Sequence, residues 1–195
     1  MKNSLLWSWM VCVAATVATV ATAAPVDYPL DPMHTFPSFE ADHLGMSMWR
    51  GKFKKSSGKV VLDKEAGQGT VEVSIDTASI DFGLELMNKA ARGADFFDVK
   101  KYPKASFRGK LDGFTNGAPS RAVGELTLHG VTRPVVLTFN SFKCMPHPMF
   151  KRDWCGADAQ TVINREEFGM PMGKDYGIKM EVALRIQVEA VAATK

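Results

Sequence analysis

The sequence predicts an all-β fold, an antiparallel barrel or sandwich with one short helical insert. Three observations carry this. The C-terminal stretch alternates strictly, with Ile178, Met180, Val182, Leu184, Ile186 and Val188 interleaved with Lys179, Glu181, Ala183, Arg185, Gln187 and Glu189. Period two over that length means a long strand with one apolar and one wet face, as in antiparallel sheets that meet a core on one side. Shorter copies of the pattern recur upstream between turn formers. Only one stretch, residues 83–92, has helical spacing.

In chain order, His34 and His43 flank the first strand, and Val71, Val73 and Ile75 mark another. In the helical stretch Leu84, Met87, Ala90 and Ala91 fall near a period of 3.6, and Asp95 ahead of Phe96-Phe97 is placed to cap a second short turn. Strands follow at Phe107/Leu111, Leu126/Leu128 and Val135/Leu137/Phe139. Asp112-Gly113 and Asn116-Gly117-Ala118-Pro119 supply turns, and residues 129–134 form a hairpin bend. The sheet is mainly a meander.

Residues 1–23 have the make-up of a secretory leader: Lys2 near the start, an uncharged run, then Ala21-Thr22-Ala23 as a small-x-small cleavage site. Cleavage leaves one domain, residues 24–195, and lowers the formal charge from +3 to +2 by the loss of Lys2. So even a balance excludes a basic nucleic-acid footprint. After the leader no apolar run approaches the roughly 18 to 20 residues of a spanning helix. Export, rather than residence in a membrane, is the expected fate.

Cys12 leaves with the leader, so Cys144 and Cys155 remain as an even pair in an oxidising compartment, within a stretch rich in Pro, His and Met. A disulfide closing a polar, irregular loop is preferred over a metal site built from Cys144, His147 and Cys155, whose spacing matches no zinc pattern.

Catalytic signatures are missing. The chain has no G-x-S-x-G, no H-E-x-x-H and no P-loop, and Gly67-Gln68-Gly69 lacks the third glycine of a dinucleotide turn. The four histidines, His34, His43, His129 and His147, converge on no readable pattern. Glu166-Glu167 would point to opposite faces of a strand and cannot flank one bond. Lys52-Phe53-Lys54-Lys55 is better read as an exposed turn than as a membrane-binding patch. Neither catalytic nor metal-binding residues are assigned.

Soft apolar residues, in contrast, gather outside the alternating strands: Met46, Met48, Trp49, Phe53, Phe82, Leu86, Met87, Phe96, Phe97, Met170 and Met172. Such residues fill a core or line a cavity. Composition alone favours plain core, although a closed barrel of about eight strands can hold one ligand.

Several segments match a known pattern in order and spacing. They are Asp31-Pro32-Met33-His34-Thr35, Phe39, His43-Leu44-Gly45, Gly51-Lys52-Phe53, Ala94-Asp95-Phe96-Phe97-Asp98, Tyr102-Pro103 and Phe107. Next come Gly124-Glu125-Leu126-Thr127-Leu128-His129-Gly130-Val131-Thr132-Arg133-Pro134-Val135, then Asn164-Arg165 and Phe168-Gly169-Met170. Together they resemble the YceI-like family over essentially the whole chain after the leader. The resemblance implies a periplasmic lipocalin-like antiparallel barrel that holds a polyisoprenoid or the tail of an isoprenoid quinone, without catalysis, and a subgroup with a loop disulfide.

On that basis the expected ligand-binding residues are Phe39, Leu44, Met46, Trp49, Phe53, Phe82, Leu86, Met87, Phe96, Phe97, Phe107, Met170 and Tyr176, with His34, His43 and Arg92 as head-group candidates. The helical insert with Phe96-Phe97 is expected to cover one end of the barrel. Transient contact with a membrane surface and a homodimer are further expected associations. Asn88-Lys89-Ala90-Ala91 replaces the Asp-x-His-Leu common in relatives, and Pro37 and Ala41 stand where Val is usual, differences that bear on which ligand enters. Two other classes stay open: an enzyme acting on a lipid head group, and a secreted stress or interaction protein whose barrel is filled by side chains.

Overall fold

A computed structural model describes residues 24–194, so the leader at residues 1–23 lies outside the described residues. Eleven strand segments form one wholly antiparallel sheet. They are β1 (Val26–Pro29), β2 (Phe36–His43), β3 (Ser47–Phe53), β4 (Ser56–Asp63), β5 (Gln68–Asp76), β6 (Ile80–Asp81), β7 (Lys104–Asp112), β8 (Arg121–Leu128), β9 (Val131–Pro146), β10 (Asp153–Asn164) and β11 (Glu181–Val191), with a single helix α1 (Glu85–Arg92) between β6 and β7. No helix among them is long and apolar enough to cross a membrane.

The surplus over the expected eight strands has a simple origin. β1 and β2 are two halves of one bent run, as are β3 and β4, and β5 and β6. Accordingly β1 pairs with β4 while β2 pairs with β3, and β4 pairs with β5 while β3 pairs with β6. Three corners thus turn eight strands into eleven segments. The meander runs on from β5 through β7, β8, β9, β10 and β11. It returns to the first bent strand where β11 pairs with β2 and Leu30 bridges Ala190, and this join curls the sheet into a barrel without free long edges.

The alternating stretches become β5, β7, β8, β9 and β11. Between β8 and β9 the expected bend is tighter than residues 129–134. His129 and Gly130 alone make it, both at positive φ (51° and 76°), as a primed two-residue hairpin turn requires.

The helix starts later than its spacing suggests, because Gly83 sits at φ 79° and Leu84 is the extended N-cap. Asn88 is buried and ties the entry down: its Oδ1 accepts from the Phe82 amide at 2.7 Å and its Nδ2 donates to Asp81 at 3.0 Å. Residues 94–97 form the short second turn expected after the helix. Glu166-Glu167 also departs from expectation. They lie in a 3-10 turn (Arg165–Phe168), where Asn164 accepts from the Glu166 amide.

The cysteine stretch is not an irregular loop. β9 and β10 continue into it, leaving a turn of residues 147–152, and Cys144 and Cys155 are direct cross-strand partners with Cα atoms 4.0 Å apart and a bonded sulfur pair. Both sulfurs are used in this bond, which removes the thiolates of the metal alternative. His147 organises the turn instead. Its Nδ1 accepts from the amides of Met149 and Phe150, and its ring lies against Phe150 and Trp154.

Candidate functional site: a one-ended apolar cavity

Inward-facing residues of every long strand surround a cavity of about 570 Å³. This lies within the range of small-molecule pockets, roughly 300–1,000 Å³. β5 contributes Val71, Val73 and Ile75, β7 contributes Ala105, Phe107 and Leu111, and β9 contributes Val135, Leu137 and Phe139. Each set is spaced by two or four, so the pleat that gives the strand its alternation aims these side chains into the barrel.

One end is shut. Tyr28, Leu62, Leu111, Cys155 and Ala190 line it, all buried. The Tyr28 hydroxyl turns away from the cavity and donates to Asp153 at 2.6 Å. Burial, then the neighbouring Asp153 charge, pushes the Tyr28 phenol above the usual tyrosine range.

At the other end lie α1 and the 170–178 segment. Met87, Ala90 and Ala91 present one helix face to the cavity, and Trp49, Met172 and Tyr176 line the wall while staying exposed, which marks the mouth. Just inside, Phe39, Phe53, Phe82 and Phe97 form a chain of tilted and edge-on aromatic contacts with centroids 5.3 to 5.8 Å apart. Phe39 lies opposite Gly51 across the β2–β3 pair, and a Cβ at Gly51 would come within 2.6 Å of its ring. The missing side chain lets the ring fold over the neighbouring strand.

Of the expected ligand-binding residues, the structure gathers Phe39, Trp49, Phe53, Phe82, Met87, Phe96, Phe97, Phe107, Met170 and Tyr176 around this one cavity. Leu44, Met46 and Leu86 are corrections. Leu44 and Met46 occupy the apex of the β2–β3 hairpin, where Met46 is 84% exposed, and Leu86 is 75% exposed. One residue on a helix is a rotation of about 100°, so Leu86 cannot share the face of Met87.

The head-group candidates are likewise outside the lining. His34 is exposed and bonded to Asp31 at 2.7 Å, which raises its pKa. His43 stacks on Trp49 at 4.1 Å, and Arg92 pairs with Glu85. The charged groups that do line the cavity, Asp42 and Arg165, were not singled out from sequence. Arg165 belongs to the Asn164-Arg165 motif, but nothing in a linear pattern shows that a residue just past a strand end turns back over a barrel mouth.

The profile of the YceI-like domain matches residues 28–190. Protein YceI of Escherichia coli O157:H7 is 33% identical over 195 residues, covering 98% of each chain. Among solved structures, Burkholderia cenocepacia BcnA superposes with a TM-score of 0.68 at 24% identity, covering 85% of this chain and 99% of that one. A polyisoprenoid binding domain from Saccharophagus degradans gives 0.62 at 17% identity, covering 86% and 99%. The eight-strand curl around one cavity, the profile match across nearly all described residues and the full-length likeness to YceI agree: the chain belongs to the YceI-like domain family.

Proposed function

We propose that the protein is a non-catalytic periplasmic carrier that holds the chain of a polyisoprenoid or an isoprenoid quinone inside its barrel. The observation that carries this is the cavity itself: apolar over nearly its whole wall, shut at the Tyr28 end and open beside α1. A chain molecule entering at the mouth would leave water along its length while its polar end stays at the rim.

The energetics suit such a cargo. Each buried CH₂ is worth about 0.8 kcal/mol, so a five-carbon unit represents roughly 3 to 4 kcal/mol of transfer free energy. Free passage through water is correspondingly costly. At about 0.3 kcal/mol per heavy atom, a tail of some 40 carbons could reach about 12 kcal/mol, near nanomolar affinity. The likeness in fold to a polyisoprenoid binding domain supports the same class of ligand.

Export is supported by the leader composition and by the Cys144–Cys155 bond, which persists in oxidising compartments. A non-catalytic role is supported by the wall, whose charged groups Asp42 and Arg165 do not make up a nucleophile with its base. The test is organic extraction of protein purified from the periplasm, followed by mass spectrometry. A co-purified isoprenoid is the expected result. An extract free of isoprenoid, from protein that also takes up none when it is added, overturns the proposal.

A further inference from the structure

Asp31, His34 and Glu189 meet on the outside of the barrel, beside the shut end and clear of the cavity lining. His34 Nδ1 is 2.7 Å from Asp31 Oδ2 and 3.9 Å from Glu189 Oε2, and one ligand atom from each residue lies within 4.8 Å of the other two. A point about 2.0 to 2.4 Å from all three atoms therefore lies between them, the distance at which zinc sits from imidazole nitrogen and carboxylate oxygen.

The three residues come from two places in the chain that the fold locks together. Asp31 and His34 belong to the stretch leading from β1 into β2, and Glu189 to β11. Backbone bonds fix their spacing. The Asp31 amide donates to the Glu189 carbonyl at 2.8 Å, and the buried Thr35 hydroxyl donates to that carbonyl while accepting from the Glu189 amide, both at 3.2 Å.

Outer bonds orient the side chains as well. Asp31 Oδ1 accepts from the Met33 amide at 2.8 Å, which turns Oδ2 toward His34, and the Trp154 indole N–H donates to Glu189 Oε2 at 3.2 Å. Carboxylates held by a second layer of donors in this way are typical of metal ligands. His147 packs its ring near Trp154, with centroids 5.1 Å apart, but its Nδ1 accepts from the Met149 and Phe150 amides. The proton of the neutral ring is thereby placed on Nε2, so His147 offers no free lone pair.

We propose that Asp31, His34 and Glu189 form a zinc site that staples the β1–β2 stretch to β11, across the join that closes the barrel. One imidazole and two carboxylates suit zinc, with water in the fourth position, whereas magnesium and calcium take sets made of oxygen alone. The ion takes the place of the proton now shared by His34 and Asp31, and its charge offsets that of the two carboxylates. The half-exposed group is open to solvent, so entry needs no rearrangement of the sheet.

Calorimetric titration of the untagged, disulfide-intact protein with zinc chloride, beside magnesium and calcium chloride, tests this. The expected result is one zinc per chain and no binding of the other two ions at the same concentrations. Zinc at a hundredfold excess over its Kd should raise the Tm by roughly 5 to 10 °C. H34Q should weaken zinc binding about tenfold or more and remove the Tm shift. E189Q, which keeps an acceptor for Trp154, should weaken it too, and H147A should leave it within about twofold.

No zinc binding by the wild type overturns the proposal, as does zinc affinity unchanged in H34Q, which would place the ion elsewhere. Calcium or magnesium binding as tightly as zinc overturns it by making the imidazole irrelevant. A loss in H147A equal to that in H34Q overturns the assigned ligand set. If H34Q does not fold, unchanged zinc affinity in E189Q is the overturning result.

Discussion

The Tyr28 hydroxyl donates to Asp153 Oδ2 at 2.6 Å, and the Lys64 ammonium meets the same oxygen at 2.5 Å. Three elements, β1, the β4–β5 connection and the start of β10, are pinned together at the shut end by this single carboxylate oxygen. Burial works against ionisation of Asp153, but the bonds from Lys64 and Tyr28 outweigh it and hold its pKa below the usual carboxylate range. Tyr28 is 2% exposed, so its ring plugs the barrel while its hydroxyl leaves the apolar side.

Tyr28→Phe keeps the plug and removes the donor. Asp153 retains Lys64 and is partly solvated, so the cost should be about 1.5 kcal/mol, the low end for a hydrogen bond to a charged group. Urea unfolding of the two proteins checks this. Equal midpoints would mean that the bond contributes nothing net.

Asp81 sets an acid limit on stability. The Gly83 amide first, then Asn88 and Lys54, lower its pKa to about 2. A group whose folded pKa is depressed contributes stability above its unfolded value, about 3.9, and loses it as pH falls through the folded value. Wild-type stability should therefore decline between about pH 4 and pH 2 more steeply than that of Asp81→Asn. Superimposable pH profiles would contradict the assignment.

Cys144→Ala/Cys155→Ala should leave the barrel folded but weaker. Opening a 12-residue loop costs about 3 kcal/mol in the chain-entropy model, or roughly 6 to 12 °C in Tm for a domain of this size. Differential scanning with and without reductant reads the same quantity in the wild type. An unchanged Tm would show that β9–β10 pairing alone holds this corner.

Met87 and Leu86 are adjacent, yet only Met87 faces the cavity. Met87→Asp places a carboxylate on an apolar wall and should lower isoprenoid retention by about tenfold or more, whereas Leu86→Asp lies in solvent and should leave retention unchanged. Equal losses in both variants, with the circular dichroism of the wild type, would mean that α1 does not sit against the cargo.

Where a strand buries large side chains on one face, as at Val71/Val73/Ile75 or Val182/Leu184/Ile186, its alternation was legible in the chain. β10 was not, because its inward positions Cys155, Ala157 and Ala159 are small while Trp154 and Val162 fall among the outward ones, so hydropathy barely alternates. β1 is four residues long and offers too short a pattern to see. The site was legible where aromatic residues fell outside strand periodicity, as at Phe82, Phe96 and Phe97. It was misread where apolar character alone was the guide, as at Leu44, Met46 and Leu86, since a hairpin apex or the outer face of a helix exposes such residues freely.

Taken alone, the sequence determined the strand alternation, the turn chemistry and the single helix, because these depend on neighbours two to four residues apart, and the order of its motifs along the chain carried the family pattern. Tertiary structure alone decided that the apolar interior is a cavity rather than a packed core. Emptiness depends on how far apart closure of the ring holds opposite walls, compared with the volume of the side chains that meet there. Small residues such as Ala41, Ala105, Ala122 and Ala159 leave that space unfilled only when strands distant in the chain are brought face to face.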